Sequence, residues 1–313
     1  MPIDNVPPIV TVFGGGGFVG RYVCEQLLKA GLRVRVAERN PRRAYFLQPL
    51  AGVGQLAFVQ CNIARPSSIA PAVAGASAVI NLVGSFGGDL DAVHVKGAEA
   101  IARAAKDAGA SALVHVSAIG ADADSESTYA RTKGQGEAAV RAAFPHATII
   151  RPSVVFGAED DFTNRFARMA ALPVTPLLAS GTRFQPIWVA DLARAIVAAA
   201  KAPATFGGKT FDVGGPEVMT MRALNEKIAA LASVHPNFVD LPDIAGNLLS
   251  MVGFLPGAPI TRDQWIMLQR DNVVAGKNGL DAFGIEPVTL DAIGPEWLAR
   301  YKEGGRFAKA KAA

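Results

Sequence analysis

Cysteine is scarce in this chain, with two among 313 residues. Cys24 falls in a helical stretch and Cys61 just after a strand-like one, so disulfide stapling is excluded and a reducing compartment is expected. Histidine is also sparse. His94, His115, His146 and His235 are scattered and neither cysteine pairs with them at a ligand spacing, so no metal centre is expected. No Gly-x-Ser-x-Gly elbow occurs, which leaves a hydrolase without its nucleophile. Apolar runs break well before the roughly 18 residues of a membrane-spanning helix. Met1-Pro2-Ile3-Asp4-Asn5 lacks the basic region and apolar stretch of a signal peptide, so a cytoplasmic location is expected. The formal charge is only +4. Much of the late excess lies in Lys302, Arg306, Lys309 and Lys311, so nucleic-acid binding is not implied, while a basic tail facing anionic lipid or an acidic partner stays open.

Glycine, by contrast, is concentrated where it carries information. The apolar run Ile9-Val10-Thr11-Val12-Phe13 has the length of a buried strand, and Arg21 to Ala30 repeats apolar residues at helical spacing until Gly31 stops it. Between them stand Gly14, Gly17 and Gly20. In such a strand-turn-helix unit the first glycine makes the tight bend, the second admits a pyrophosphate to the backbone and the third lets helix pack on strand. Strand-like runs recur at Leu32 to Ala37, Gln55 to Val59, Ala78 to Leu82, Ala112 to Val116 and Ala147 to Ile150, with helical segments between most of them. The expected fold class is therefore α/β, a doubly wound parallel sheet of the Rossmann type with a smaller C-terminal cap. Residues 1–151 form the nucleotide-binding domain. Residues 152–313 follow, with 184–215 packing back on the first domain through a helix from Trp188 to Ile196 and a strand at Thr210 to Val213, and the rest forming the cap.

At the end of the second strand the chain reads Glu38-Arg39-Asn40-Pro41-Arg42-Arg43. A carboxylate at Glu38 suits the ribose hydroxyls of NAD, whereas Arg39 suits the 2′-phosphate of NADP. Three arginines in five residues favour NADP(H) over NAD(H), against the plainer reading of a solvated charge cluster. Gly84, after the fourth strand, is either a simple turn glycine or a place where backbone runs past the cofactor. Tyr129 and Lys133 stand one helical turn apart after the fifth strand. That spacing puts phenol and ammonium on one face, where Lys133 holds a ribose and lowers the phenol pKa for proton transfer to a carbonyl.

With Gly14/Gly17/Gly20, Tyr129/Lys133, Arg151-Pro152-Ser153-Val154-Val155-Phe156-Gly157 and Val189-Ala190-Asp191-Leu192-Ala193 in order, the chain resembles the extended short-chain dehydrogenase/reductases over nearly its whole length. More narrowly, Gly17-Phe18-Val19-Gly20-Arg21-Tyr22-Val23, Val79-Ile80-Asn81-Leu82-Val83-Gly84, Phe184-Gln185-Pro186-Ile187-Trp188-Val189 and Ile260-Thr261-Arg262-Asp263-Gln264 resemble the family of the 39-kDa accessory subunit of respiratory complex I and its bacterial relatives. The resemblance implies a tightly held NADPH. Arg21 and Arg39 are the implied phosphate contacts, and Phe18, Val19, Asn62, Ser117 and Pro152 join the cofactor-binding set. It further implies complex I subunits as partners, a peripheral place on the membrane, on the matrix side if organellar, and a role in assembly or stability of the complex.

The pattern departs from the active reductases in two places. Ile119 and Gly120 stand where those enzymes carry a Ser/Thr that polarises the substrate carbonyl, with Ser117, Ser125, Ser127 and Thr128 at other spacings. His94 replaces a helix-ordering Asn and reads as a satisfied packing residue, as does His115 within its strand. A free NAD(P)-dependent reductase, dehydrogenase or epimerase using Tyr129/Lys133 on a hydrophobic carbonyl or nucleotide-sugar remains the alternative. The stretch 238–255 predicts a helix with Ile244, Leu248, Met251, Val252 and Leu255 on one stripe. Core is the default reading, with a substrate lid or a membrane-facing surface as the others.

Overall fold

The structure is a computed structural model and describes residues 7–253 and 260–302. Met1 to Asn5, Phe254, Leu255, Arg306, Lys309 and Lys311 lie outside the described residues. The chain divides into two compact units, one of residues 7–152, 189–213 and 277–285, the other of 153–188, 214–276 and 286–302.

In the first unit, β1 (Ile9–Phe13), β2 (Arg33–Glu38), β3 (Leu56–Gln60), β4 (Ala76–Asn81), β5 (Ala112–Val116), β6 (Thr148–Pro152) and β7 (Thr210–Val213) make one sheet, ordered 7-6-5-4-1-2-3, with every pairing parallel. Val12, Phe13, Val79, Ile80, Val114, Ile149 and Ile150 are fully buried. Such two-sided burial needs helices on both faces. They are α1 (Phe18–Lys29), α2 (Ala98–Asp107), α3 (Thr128–Ala143) and α4 (Val189–Lys201). The α1 helix packs on α4. Residues of α2 and α3 (Ile101, Ala102, Ala105, Val140) join Phe13, Val79, Leu113 and Ile149 in one core cluster.

The first helix begins three residues before the apolar spacing predicts, because Gly20 lies inside its first turn. A Cβ on Gly20 would sit 2.1 Å from the Gly14 carbonyl oxygen and 2.6 Å from Gly15 Cα. Only glycine fits there. Gly14 in turn adopts φ +82°, in the left-handed region that favours glycine.

The segment that rejoins the sheet unit is Val189–Val213 rather than 184–215, and Lys277–Ile285 joins it as well. In that second segment Phe283 packs against Phe206 and Phe211, with ring centroids 4.6 and 4.8 Å away. The anchor lies in a short 3₁₀ turn, Gly279–Phe283, which has no periodicity to read.

The second unit is stitched around Asn272 and Gln185. Ser153 Oγ donates to Asn272 Oδ1 at 2.7 Å, Gln185 Nε2 donates to the Gly215 carbonyl at 2.8 Å, and the Val274 amide donates to Gln185 Oε1 at 3.0 Å. The stretch 238–253 is a strand, Asn237–Asp240, followed by a nine-residue helix, Asp243–Met251. The core reading of its stripe is overturned. Ile244, Leu248 and Met251 are 72%, 62% and 65% exposed. The inner face carries Gly246 and Ser250 instead, because the flat ring of Trp265 lies where a Cβ on Gly246 would be, 2.3 Å away, and Trp265 Nε1 donates to Asn247 Oδ1 at 2.9 Å. Shape complementarity to one tryptophan decided which face turned inward.

On α3, Glu137 is buried and receives two hydrogen bonds from Arg151 of β6, at 2.8 and 2.6 Å, while Arg151 also faces Asp212 of β7 at 3.9 Å. Arg151→Ala leaves that carboxylate buried without its cation and is expected to lower unfolding free energy by about 3 kcal/mol. Arg103→Ala, which removes the exposed i,i+4 pair with Glu99, is expected to change it by less than about 0.5 kcal/mol. Chemical denaturation of the two variants checks the contrast.

Candidate functional site

The strand order reverses between β1 and β4, and the ends of those strands define the crevice where doubly wound sheets take ligands. The glycine turn leaves β1 and the segment Leu82–Gly84 leaves β4. They touch, since a Cβ on Gly14 would lie 3.4 Å from Leu82 C and 3.5 Å from Val83 N. Gly17 is the N-cap of α1 and no side chain caps that end. Phe18 and Val19 form the first turn beside it. The helix N-terminus therefore presents backbone donors and a partial positive charge.

The carboxylate of Glu38 accepts the Gly16 amide on Oε1 at 2.8 Å, which ties the end of β2 to the turn. Arg39, Arg42 and Arg43 are exposed. Arg21 leaves α1 with its guanidinium 4.6 Å above the Phe46 ring. Asn62 is occupied locally, its Oδ1 accepting the Ala64 amide at 3.1 Å and its carbonyl the Ser68 hydroxyl at 2.9 Å. Gly84 has space around it, the nearest atom to an added Cβ being His94 Nε2 at 3.9 Å.

Beyond β5 the polar groups gather. Lys133 Nζ donates to the Val116 carbonyl at 2.8 Å. The next residue, Ser117, is buried, and its Oγ has no hydrogen-bond partner among the described residues. A buried hydroxyl left unsatisfied in the protein costs free energy that a bound polar ligand restores. Pro152 ends β6 and its carbonyl accepts the Ile119 amide at 3.0 Å. Asn81 and His115 are register partners across β4 and β5, joined by an Nδ2 to Nδ1 hydrogen bond of 3.0 Å.

Three residues at the site, Ser85, Phe86 and Thr132, are marked by no role in the sequence pattern. The Tyr129 ring is covered by Phe86, stacked at 4.6 Å with 14° between planes, and meets His94 edge-on at 5.4 Å. Thr132, inside the Tyr-x-x-x-Lys spacing, takes a hydrogen bond from His94 Nδ1 at 2.9 Å. His94 Nε2 accepts the Ser85 amide at 3.1 Å, which fixes the proton on Nδ1. A lone aromatic inside Gly84-Ser85-Phe86-Gly87-Gly88 was the available signal for Phe86.

Electrostatics here differ from those of an activated phenol. Burial pushes Tyr129 up to about 12, and burial pushes Lys133 down to about 8 against the opposing pull of Glu137. His94 is driven down to about 4 by burial and then by the Lys133 charge. His115 lies well below the ordinary range through burial first, then the Lys133 charge and His94. Both imidazoles fold neutral, so from about pH 6.5 downward the unfolded chain binds protons that the folded one does not. Stability relative to a His94→Gln variant is accordingly expected to fall as pH drops from about 6.5 towards 4; thermal unfolding that shows a pH-independent difference between the two contradicts this.

Comparisons with known proteins agree with this fold. Residues 14–203 match the NAD(P)H-binding family model. The mouse protein NADH dehydrogenase [ubiquinone] 1 alpha subcomplex subunit 9, mitochondrial, is 34% identical over 94% of this chain and 80% of its own length. Ceramide reductase of Caulobacter vibrioides is 31% identical over 80% of each chain. An Escherichia coli NADPH-dependent quinone oxidoreductase, solved with NADPH, shares the fold at a TM-score of 0.75 and 18% identity over 91% of this chain and 98% of its own. The chain thus belongs to the NAD(P)H-binding family and, within it, to the family of the NADH dehydrogenase [ubiquinone] 1 alpha subcomplex subunit 9 proteins.

Proposed function

We propose that the protein is an accessory subunit of respiratory complex I that holds NADP(H) as a structural ligand. The observation that carries this reading is the state of Tyr129. Its ring lies under Phe86 and its phenol is pushed away from neutral pH, while one donor of the Lys133 ammonium is held by the Val116 carbonyl. A group meant to exchange protons at neutral pH is tuned the other way. Family membership supports the assignment to complex I, through relatives named as subunits of that enzyme.

In this reading Gly14, Gly17 and Gly20 with Phe18 and Val19 cradle the pyrophosphate. Gly84, Ser117, Tyr129, Lys133 and Pro152 line the nicotinamide end, and Asn62 edges the adenosine side. Glu38 is engaged by Gly16, Arg39, Arg42 and Arg43 stand exposed near it in sequence, and Arg21 on α1 lies over Phe46, a charge pattern that favours NADP(H) over NAD(H). A bound nicotinamide nucleotide supplies hydride chemistry, but the stabilising role asks only that it bind the folded state alone. At free ligand of about 1,000 Kd that linkage contributes about 4 kcal/mol.

The exposed stripe of Ile244, Leu248 and Met251 is the proposed contact with the assembly. Residues 238–253 contain no Lys or Arg, which favours a protein surface over anionic lipid. Among the described residues no helix is long and apolar enough to cross a membrane, so attachment would be peripheral, on the cytoplasmic side or the matrix side of an organelle.

A second reading is a reductase of an apolar carbonyl compound, favoured by the ceramide reductase likeness. Tyr129 would then pass its phenolic proton to the carbonyl oxygen, with Lys133 beside it. Complementation separates the two. In cells lacking the protein, Tyr129→Phe is expected to restore assembled complex I, because the ring is kept, whereas Gly20→Val, which cannot close the nucleotide turn, is not. Full restoration by Gly20→Val, or none by stable Tyr129→Phe, contradicts the structural reading.

A further inference from the structure

The segment after β4 runs from the glycine turn to the Tyr129 ring. Leu82 and Val83 lie against Gly14, and Phe86 lies on Tyr129. Between them the turn closes on itself, Ser85 Oγ donating to the Gly87 carbonyl at 2.6 Å and accepting the Gly87 amide at 3.2 Å. Phe86 is nevertheless 70% exposed, so core packing does not hold it in place. The Ser85 amide ties the loop to the body by donating to His94 Nε2.

His94 is placed for this by the backbone. It rides on a π-helical turn, Asp91–Gly97, a form that recurs at functional sites. The turn approaches α3 at Gly136, where a Cβ would lie 2.0 Å from the His94 carbonyl oxygen. That approach brings Nδ1 to Thr132 one turn earlier on α3, and Thr132 Oγ1 is anchored by the Thr128 carbonyl at 2.8 Å. The imidazole thus bridges two elements, with Nδ1 fixed to the helix of Tyr129 and Nε2 free to hold the loop. An asparagine at this position has one short amide, enough for Thr132 and too short for Ser85.

We infer that Ser85–Gly87 is a cap over the Tyr129 end of the nucleotide site, that His94 is the positioning residue that latches it, and that the latch sets how slowly NADP(H) leaves. This rests on the nucleotide-holding reading. The cap stays shut only while both the Ser85–His94 hydrogen bond and the Phe86–Tyr129 stack are made, so loss of either frees it and is expected to accelerate release about tenfold.

The test compares the full-length protein with Phe86→Ala, His94→Asn and the double variant. NADPH release is followed by chase with excess unlabelled nucleotide, Ser85 amide exchange by hydrogen exchange, and Tyr129 exposure by nitration. The cap predicts about tenfold faster release in each single variant and no further gain in the double, since both act through one latch. It also predicts faster Ser85 exchange in His94→Asn and greater Tyr129 nitration in both, with the midpoint of thermal unfolding of Phe86→Ala near that of the parent. Unchanged release in both single variants, or multiplying effects in the double, overturns it. Should the parent protein hold neither NADPH nor NADH, the reading under which the site binds nucleotide falls, and the cap is decided by exchange and nitration alone. Unaltered Ser85 exchange and unaltered Tyr129 nitration then overturn the cap too.

Discussion

The arrangement of the first unit depends on a steric clearance at one position. The α1 helix lies against the turn that precedes it because Gly20 has no side chain to meet the Gly14 carbonyl, which a Cβ would approach to 2.1 Å. That contact aims the N-terminus of α1 at the crevice between β1 and β4. A larger residue would tilt the helix away, and the uncapped amides would no longer face the place where the strand order reverses.

A second column stands on α3. Tyr129, Lys133 and Glu137 follow at four-residue intervals. Lys133 reaches β5 through the Val116 carbonyl and Glu137 reaches β6 through Arg151. Lys133, which would serve chemistry, is therefore also a strut between helix and sheet, as Glu137 is. The same column explains why the reductase pattern survives in a protein whose proposed task is to stay bound. Removing Lys133 or Glu137 would loosen α3 whether or not a proton is ever transferred, and the cover of Phe86 on Tyr129 deepens the burial that lifts the phenol.

The sheet was legible in the sequence because buried parallel strands read as continuous apolar runs, and β1 to β6 fell within a residue or two of them. The return of Thr210–Val213 to the sheet beside β6 was legible on the same ground. Three things were not. The start of α1 was hidden because Gly20, a poor helix former, is required there by packing that periodicity does not record. The return of Lys277–Ile285 rests on Phe283 in a 3₁₀ turn. The helix Asp243–Met251 was given the wrong face, since a stripe of Ile244, Leu248 and Met251 predicts burial while the flat ring of Trp265 selects Gly246. At the site, Tyr129, Lys133 and the glycine turn stood out by spacing. Phe86, Thr132 and the second hydrogen bond of His94 depend on loop and helix meeting in space, as does the hydrogen bond that Glu38 accepts from Gly16.

Whether nucleotide is held for structure inside an assembly is decided by native mass spectrometry of the protein drawn at endogenous level from its own membranes by gentle solubilisation, with bound nucleotide and partner masses read together. Close to one NADP(H) per chain within a complex I assembly is expected. A free protein that exchanges its nucleotide readily and travels without those subunits would contradict it.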